Sequence, residues 1–227
     1  MLRRVLPLIL CGWLWAGSDR APVLVELFTS EGCSSCPPAD RLLETLDSSV
    51  IVLSEHVDYW DQLGWRDPFS SHANTLRQET YARRFATQGP YTPQMVINGA
   101  AEFVGSDARR AMQEIAVSAK RERVPVRLAR SGTNLQIETG VVAHGSDVML
   151  GIAEDSGTSQ VTAGENRGRN LRHVAVLRSL RKVGTVRRGG VFTRSIPLGS
   201  EADGKRLIVF LQNSDLGKVS GAGLLVP

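Results

Sequence analysis

The reactive side chains of this sequence concentrate in Cys33-Ser34-Ser35-Cys36, which follows the apolar run Val23–Phe28 and precedes Pro37-Pro38. A strand, a short loop and a helix that opens on a C-x-x-C pair have a chemical use. Free N–H groups and the positive dipole end of a helix start favour a thiolate. Thiolate is the attacking species, and such placement lowers the pKa below the ~8.5 of a free thiol. Two intervening residues let the second sulfur reach the first and displace a bound partner. Cys33 is therefore expected to be the more exposed, attacking sulfur, and Cys36 the resolving one. A static structural bridge is one alternative. Another is a binding module whose thiolates hold Cu(I), with His56 or His72 as a further ligand. Two cysteines alone do not close a four-ligand zinc site.

His56-Val57-Asp58-Tyr59-Trp60 ends the next apolar run, Val50–Val57. Strand C-terminal ends in an open α/β sheet face the ligand crevice. This places His56, Asp58 and Trp60 beside the cysteines, with His56 or Asp58 as a proton acceptor for Cys36; a core histidine and a loop-capping aspartate are the plainer reading. Glu26 is either a buried acid or a strand residue facing solvent or the second half. Tyr59, Trp60, Trp65, Phe69 and Tyr91 either line a substrate rim, as aromatics anchor interfaces, or pack the 58–71 connection.

These residues need a framework, and the patterning supplies one. Val23–Phe28, Val50–Val57, Gln94–Asn98 and Glu102–Val104 are expected strands. Helices are expected over Pro38–Leu46, from Ser70 or Ser71 to about Phe85, and after Asp107 with Ala108, Ala111, Met112, Ile115 and Ala119 at helical spacing. The order β-α-β-α-β-β-α implies an α/β layer with a partly parallel sheet. After Val124-Pro125, short runs alternate with turn signals: Val126–Arg130, Leu135–Thr139, Val148–Glu154, Leu171–Leu180, Val191–Pro197 and Leu207–Gln212. That pattern predicts an antiparallel, sandwich-like β-rich domain over residues 124–227, following an α/β domain over residues 19–123.

Composition agrees with a folded chain and bounds its partners. The 227 residues are 42% hydrophobic and carry a net charge of only +4, which gives no ground for nucleic-acid binding. Met1-Leu2-Arg3-Arg4, the 11-residue apolar run Val5–Trp15 and the small residues Ala16-Gly17-Ser18 form a signal-peptide pattern over residues 1–18. The run is short of the ~20 residues of a spanning helix. The expected destination is the periplasm or the exterior, with no stable membrane insertion afterwards. Cys11, preceded by Leu10 and inside the apolar run, is expected to leave with the signal. An oxidising compartment would then hold only Cys33 and Cys36. Residues 19–123 are net −4 and residues 124–227 net +6. The arginine-rich stretch from Arg167 to Arg188 lacks stacking aromatics, so a solvated face or a contact with the acidic half is expected rather than a nucleic-acid surface. Gly164-Glu165-Asn166-Arg167-Gly168-Arg169-Asn170 matches no phosphate loop and is expected to be structural, docking near the cysteines.

Val25-Glu26-Leu27-Phe28-Thr29 followed by Cys33-x-x-Cys36 resembles the first strand and active-site loop of the thioredoxin-like superfamily. Tyr91-Thr92-Pro93-Gln94-Met95-Val96-Ile97-Asn98-Gly99 is similar to its Thr-Pro-strand-turn segment. The resemblance implies a thioredoxin-like fold for residues 19–123, a cis Thr92–Pro93 bond, and Pro93 and Thr92 packed beside the cysteines. More closely, Glu26–Asp40, His56–Asp61, Asp67–Ser71, Tyr91–Val96 and Gly164–Arg169 resemble the DUF1223 family of exported bacterial thioredoxin-like proteins. Ser34-Ser35 departs from the dipeptides of well-studied oxidoreductases, and Pro37 removes a backbone donor after the second cysteine. The expected function is thiol–disulfide exchange with exported protein thiols or small thiols, using Cys33, Cys36 and Pro93 without a metal or organic cofactor.

Overall fold

The computed structural model describes residues 21–227; the expected export segment and Cys11 lie outside them. Val23–Phe28 is apolar except for Glu26, so its strand β1 (Leu24–Thr29) buries both faces at the middle of a sheet. Buried on both faces as well, β2 (Ile51–His56) pairs with β1 in parallel, Leu24 opposite Ile51. The crossover is helix α1 (Pro37–Leu46), whose two prolines sit in the first turn where no N–H is needed. Helix α2 (His72–Phe85) starts after Ser71. The antiparallel pair β3 (Gln94–Ile97) and β4 (Ala101–Val104) follows, then α3 (Ala108–Ala119), where Asp107 Oδ1 accepts from the Arg110 amide. Met112, expected on the apolar face of α3, is exposed instead; Ala111 is buried in the core, and Ile115 and Ala119 pack against it.

The later strands are β5 (Val126–Ser131), β6 (Asn134–Thr139), β7 (Ser146–Gln160), β8 (Asn170–Val186), β9 (Thr193–Pro197), β10 (Arg206–Gln212) and β11 (Val219–Leu225). They divide between two sheets. One is a mixed eight-stranded sheet in the order β11-β10-β7-β8-β2-β1-β3-β4. The other is a separate three-stranded antiparallel sheet, β5-β6-β9. The large sheet crosses from the first half of the chain to the second at β2 and β8, which pair in parallel at Ser54 and Val176. β1, β2 and β8 thus form its parallel centre.

Alternation sorts the cores. Val25 and Leu27 meet Leu43 and Leu46 of α1 and Ile97 on one face. Leu24, Ile51 and Leu53 join Leu177, Ile208 and Phe210 in another cluster. Leu207, Val209 and Leu211 of β10 pack with Leu135 and Ile137 of the small sheet. The opposite net charges of the halves meet in named contacts: Arg206 pairs with Asp47 at 2.8 Å, and Arg172 with Glu44 at 2.9 Å. The second pair is exposed and contributes little.

Asn98 and Gly99 turn the chain between β3 and β4 with φ of 47° and 55°. A Cβ on Gly99 would sit 2.5 Å from the Gly217 carbonyl oxygen. Gly99→Ala is expected to cost about 1–3 kcal/mol, from left-handed strain and the displaced backbone. A urea midpoint equal to wild type would show that this turn relaxes freely.

Candidate functional site

The loop after β1 turns on itself before α1: the Cys33 amide donates to the Ser30 carbonyl at 3.1 Å and the Cys36 amide to the Cys33 carbonyl at 3.2 Å. Cys33 and Cys36 are joined by a disulfide, with Cα atoms 5.4 Å apart. Both are fully buried. The expected contrast, with Cys33 the exposed sulfur, is therefore absent from this oxidised form. Neighbours explain part of that cover. Ser35 Oγ lies 3.3 Å from Cys33 Sγ. Asn166 Nδ2, from the connection between β7 and β8, donates to the carbonyls of Glu31 at 2.8 Å and Cys33 at 2.9 Å. The Ser34 amide donates to Glu165 Oε2 at 3.1 Å. The 164–170 loop thus docks on the cysteine turn, as its sequence suggested.

Beneath the turn lies a buried set of ionisable groups. His56 ends β2, and its Nδ1 is 2.7 Å from Asp67 Oδ2. Asp67 also accepts from the amides of Glu31 and Phe69, both at 2.8 Å. Burial pushes the Asp67 carboxyl up, but the His56 charge and these donors outweigh it and hold it below its ordinary value. An ionised Asp67 only accepts, so His56 Nδ1 carries the hydrogen.

The His56 ring meets the His173 ring edge-on at 4.5 Å between centroids. His173, from β8, has Nε2 3.1 Å from Glu31 Oε1 and Nδ1 3.7 Å from Asp40 Oδ1. Burial disfavours its charge, yet its contacts and charge interactions with Asp40 and Glu31 prevail and hold its pKa at about 9. Glu31 further accepts from Trp65 Nε1 at 2.9 Å and from Ser159 Oγ. Asp40 lies one helical turn after Cys36 and accepts from Thr29 Oγ1 at 2.9 Å. A cleft of about 210 Å³ beside α1 is lined by Pro37, Asp40, Arg41, Glu44, Asn170 and Arg172.

A family model described as a protein of unknown function, DUF1223, matches residues 24–212. The chain belongs to the DUF1223 family. This DUF1223 chain is similar to the crystal structure of protein AGR_C_4864 from Agrobacterium tumefaciens, at 30% identity and a TM-score of 0.80, covering 92% of this chain and 96% of that one. Its fold is also similar to HBP35 of Porphyromonas gingivalis, at 14% identity and a TM-score of 0.59, covering 92% of this chain and 76% of that one. No curated protein matches.

The other expected residues of the DUF1223 chain occupy distinct places. The Thr92–Pro93 bond is cis. Trp60 Nε1 donates to Thr92 Oγ1 at 2.9 Å, and a Cβ on Gly32 would lie 3.0 Å from the Trp60 Cβ. Trp60 therefore bridges the cysteine loop and the Thr92-Pro93 segment. Pro93 borders Gly105 together with Leu27 and Ala39. Asp58 serves α2 instead: it accepts from Thr75 Oγ1 at 2.5 Å and lies 3.0 Å from His72 Nδ1. Trp65 and Phe69, half-buried, contact Glu31 and His56 of the buried set, whereas Tyr59 bonds Gln78 and Tyr91 bonds Glu102. Among the described residues, no group of three or more His, Cys, Asp or Glu is arranged to hold a metal.

Glu26 lies in a second buried network. Its Oε1 accepts from Arg77 Nε at 2.8 Å and its Oε2 from Tyr81 OH at 2.7 Å. Gln212 Nε2 donates to Tyr81 OH at 2.9 Å. Glu55 lies 3.5 Å from Arg77; burial first, then the Glu26 charge, push its carboxyl well above the ordinary value. A cavity of about 400 Å³ borders this network through Asn74, Arg77, Met149, Leu180 and Gln212, and no residue of the cysteine site lines it.

Proposed function

We propose that the chain is an exported thiol–disulfide oxidoreductase of thioredoxin-like type, acting in the periplasm or outside the cell on protein thiols. The observation that carries this reading is the Cys33–Cys36 disulfide at the start of α1, in a turn whose neighbours Glu31 and Asp40 are buried and pair with His173. A disulfide that opens must move protons, and ionisable Glu31 and Asp40 stand two residues before Cys33 and one helical turn after Cys36.

In the reducing direction, a partner thiolate attacks Cys33 Sγ. The partner S–Cys33 bond forms, the Cys33–Cys36 bond breaks, and its electron pair passes to Cys36. Cys36 is then protonated. A second partner thiolate releases Cys33, so the partner dithiol loses two electrons and the protein gains two. In the reverse direction Cys36 must lose its proton. Asp40 is the nearest buried carboxylate along the helix, and His173 Nδ1 lies 3.7 Å from it. This assigns the proton-handling role to Asp40 with His173. His56, bound to Asp67, positions the Glu31 turn.

The test is trapping in the host. A Cys36→Ala variant lacks the resolving thiol, so it should accumulate mixed disulfides through Cys33, which reductant releases. Cys33→Ala should trap far fewer. Equal trapping by both variants, or by neither, would refute exchange. Tight Cu(I) binding that needs both sulfurs, without disulfide turnover, would replace this reading with a carrier.

A further inference from the structure

The cysteine turn is closed by a segment from the other half of the chain, and the chemistry of that closure describes what opens it. The segment is a tight loop: the Gly168 amide donates to the Val161 carbonyl at 2.8 Å, and the Val161 amide to the Arg169 carbonyl at 3.0 Å. Its two tip residues act differently. Buried Asn166 supplies side-chain N–H groups to two backbone carbonyls, those of Glu31 and Cys33. Exposed Glu165 supplies a carboxylate to the Ser34 amide. Donors to main-chain carbonyls are what a neighbouring peptide provides through its own amides. The Ser34 amide, between the two cysteines, donates to a carboxylate of the chain itself.

Cationic groups gather around this contact, while the acids of the adjacent cleft, Glu44 and Asp40, are matched by Arg172 and His173. Arg167 and Arg169 follow Asn166, and Arg41 lines the adjacent cleft. All three are exposed, and among the described residues none has an ion-pair partner within 4 Å, whereas Arg172 is paired with Glu44. Cationic groups grouped at a binding mouth raise the local concentration of anionic partners and their association rates.

We propose that Glu165 and Asn166 form a latch over the disulfide, and that the substrate is an acidic peptide segment bearing a thiol, whose carboxylate replaces Glu165 on the Ser34 amide while its backbone amides replace Asn166. This rests on the exchange function above. Ser34 donors hold the Glu165 carboxyl below its ordinary value, so the latch carries a full charge at neutral pH. Competition for the amide is then carboxylate against carboxylate. The partner thiolate attacks Cys33 Sγ, and the electron pair of the broken bond goes to Cys36, as before.

The test follows reduction of the oxidised full chain by an excess of three probes: a cysteine peptide flanked by glutamates, the same peptide flanked by lysines, and glutathione. For the wild type, the acidic peptide should react at least about tenfold faster than the basic one. That ratio should fall below about twofold in Arg167→Ala/Arg169→Ala and in high salt, where exposed charges are screened. Glu165→Gln should speed reduction by every probe, and Asn166→Ala should do so more strongly. Glutathione should lag the acidic peptide, because it cannot supply a run of amides.

Acidic and basic peptides reacting at equal rates, or glutathione matching the acidic peptide, would overturn the acidic-peptide assignment. An unchanged rate in Glu165→Gln would overturn the latch. Glu165 is exposed, so its variant tests the latch even if Asn166→Ala fails to fold. In each case wild-type exchange would leave the enzymatic function standing. If the folded wild type and Glu165→Gln exchanged with no probe, and Cys36→Ala trapped nothing in the host, the exchange function itself would fall.

Discussion

Arg77→Met is expected to destabilise the protein by about 3–5 kcal/mol, because it leaves the fully buried Glu26 without its counter-charge. Such a loss is a large share of the roughly 5–15 kcal/mol that holds a typical domain folded. Glu55 offers no relief. The two acids lie on adjacent strands around one guanidinium, and burial together with Glu26 already pushes the Glu55 carboxyl up. Removing the cation leaves two fully buried carboxyls side by side without a counter-charge. Glu26→Gln in the Arg77→Met background should recover part of the loss, since a neutral amide is cheaper to bury than an unpaired charge. Urea denaturation of the single and double variants measures both values. A loss below about 1 kcal/mol for Arg77→Met would show that the buried network does not depend on its guanidinium.

The second large effect is a pH dependence centred on His173. Its folded pKa of about 9 lies above its ordinary value of 6.5. A raised histidine stabilises the fold fully below its unfolded pKa, and that stabilisation disappears as pH rises through the folded value. Wild-type stability should therefore fall by about 3 kcal/mol between roughly pH 6.5 and just above pH 9. His173→Gln should be less stable at pH 6 and should lack this alkaline decline. Asp67 acts in the opposite sense. Its lowered pKa gives stability present above the ordinary carboxylate range and lost as acid takes the pH through its folded value. Asp67→Asn should remove that acidic component. An alkaline limb unchanged in His173→Gln would place the titrating group elsewhere.

The elements around these residues were legible where their periodicity was strong. Pro37-Pro38 with Leu42, Leu43 and Leu46 marked α1, and the alternating and continuous apolar runs marked β1, β2, β3 and β10. The C-x-x-C turn was visible from spacing alone. The local pattern marks β7 only as far as Glu154, because Asp155-Ser156-Gly157-Thr158-Ser159-Gln160 is polar and lacks an apolar face. Those residues hold strand geometry by pairing with β8, a tertiary cause invisible in local sequence. β11 carries no strand signal in the sequence because Gly221 and Gly223 interrupt its pattern. At both, a side chain would strike the backbone of residues 124–126, so close packing selects glycine there.

The site divides in the same way. Cys33, Cys36 and His56 sit in motifs, and the 164–170 loop drew notice through its glycines. His173 carried no signal: it is a lone histidine in a strand, and its partner Glu31 lies 142 residues away. Asp40 and Asp67 resembled ordinary helix and loop acids until the fold turned them inward. Long-range convergence of polar groups leaves no spacing for a sequence to display.

The parallel pairing of β2 with β8 has a consequence for how the chain is made. β2 is complete more than a hundred residues before Val176 exists to cover its edge. At 5–20 residues per second, that delay is about 6–24 s of synthesis. Throughout it, an apolar strand with an open row of amides and carbonyls is a template for any other chain nearby. Closing the sheet also requires a contact of high sequence separation, which slows the search. A cell that makes this protein therefore has reason to keep its first half in the grip of a holdase until the last strands arrive. Ribosome-stalled chains ending before β8 should resist proteolysis far less than full-length ones.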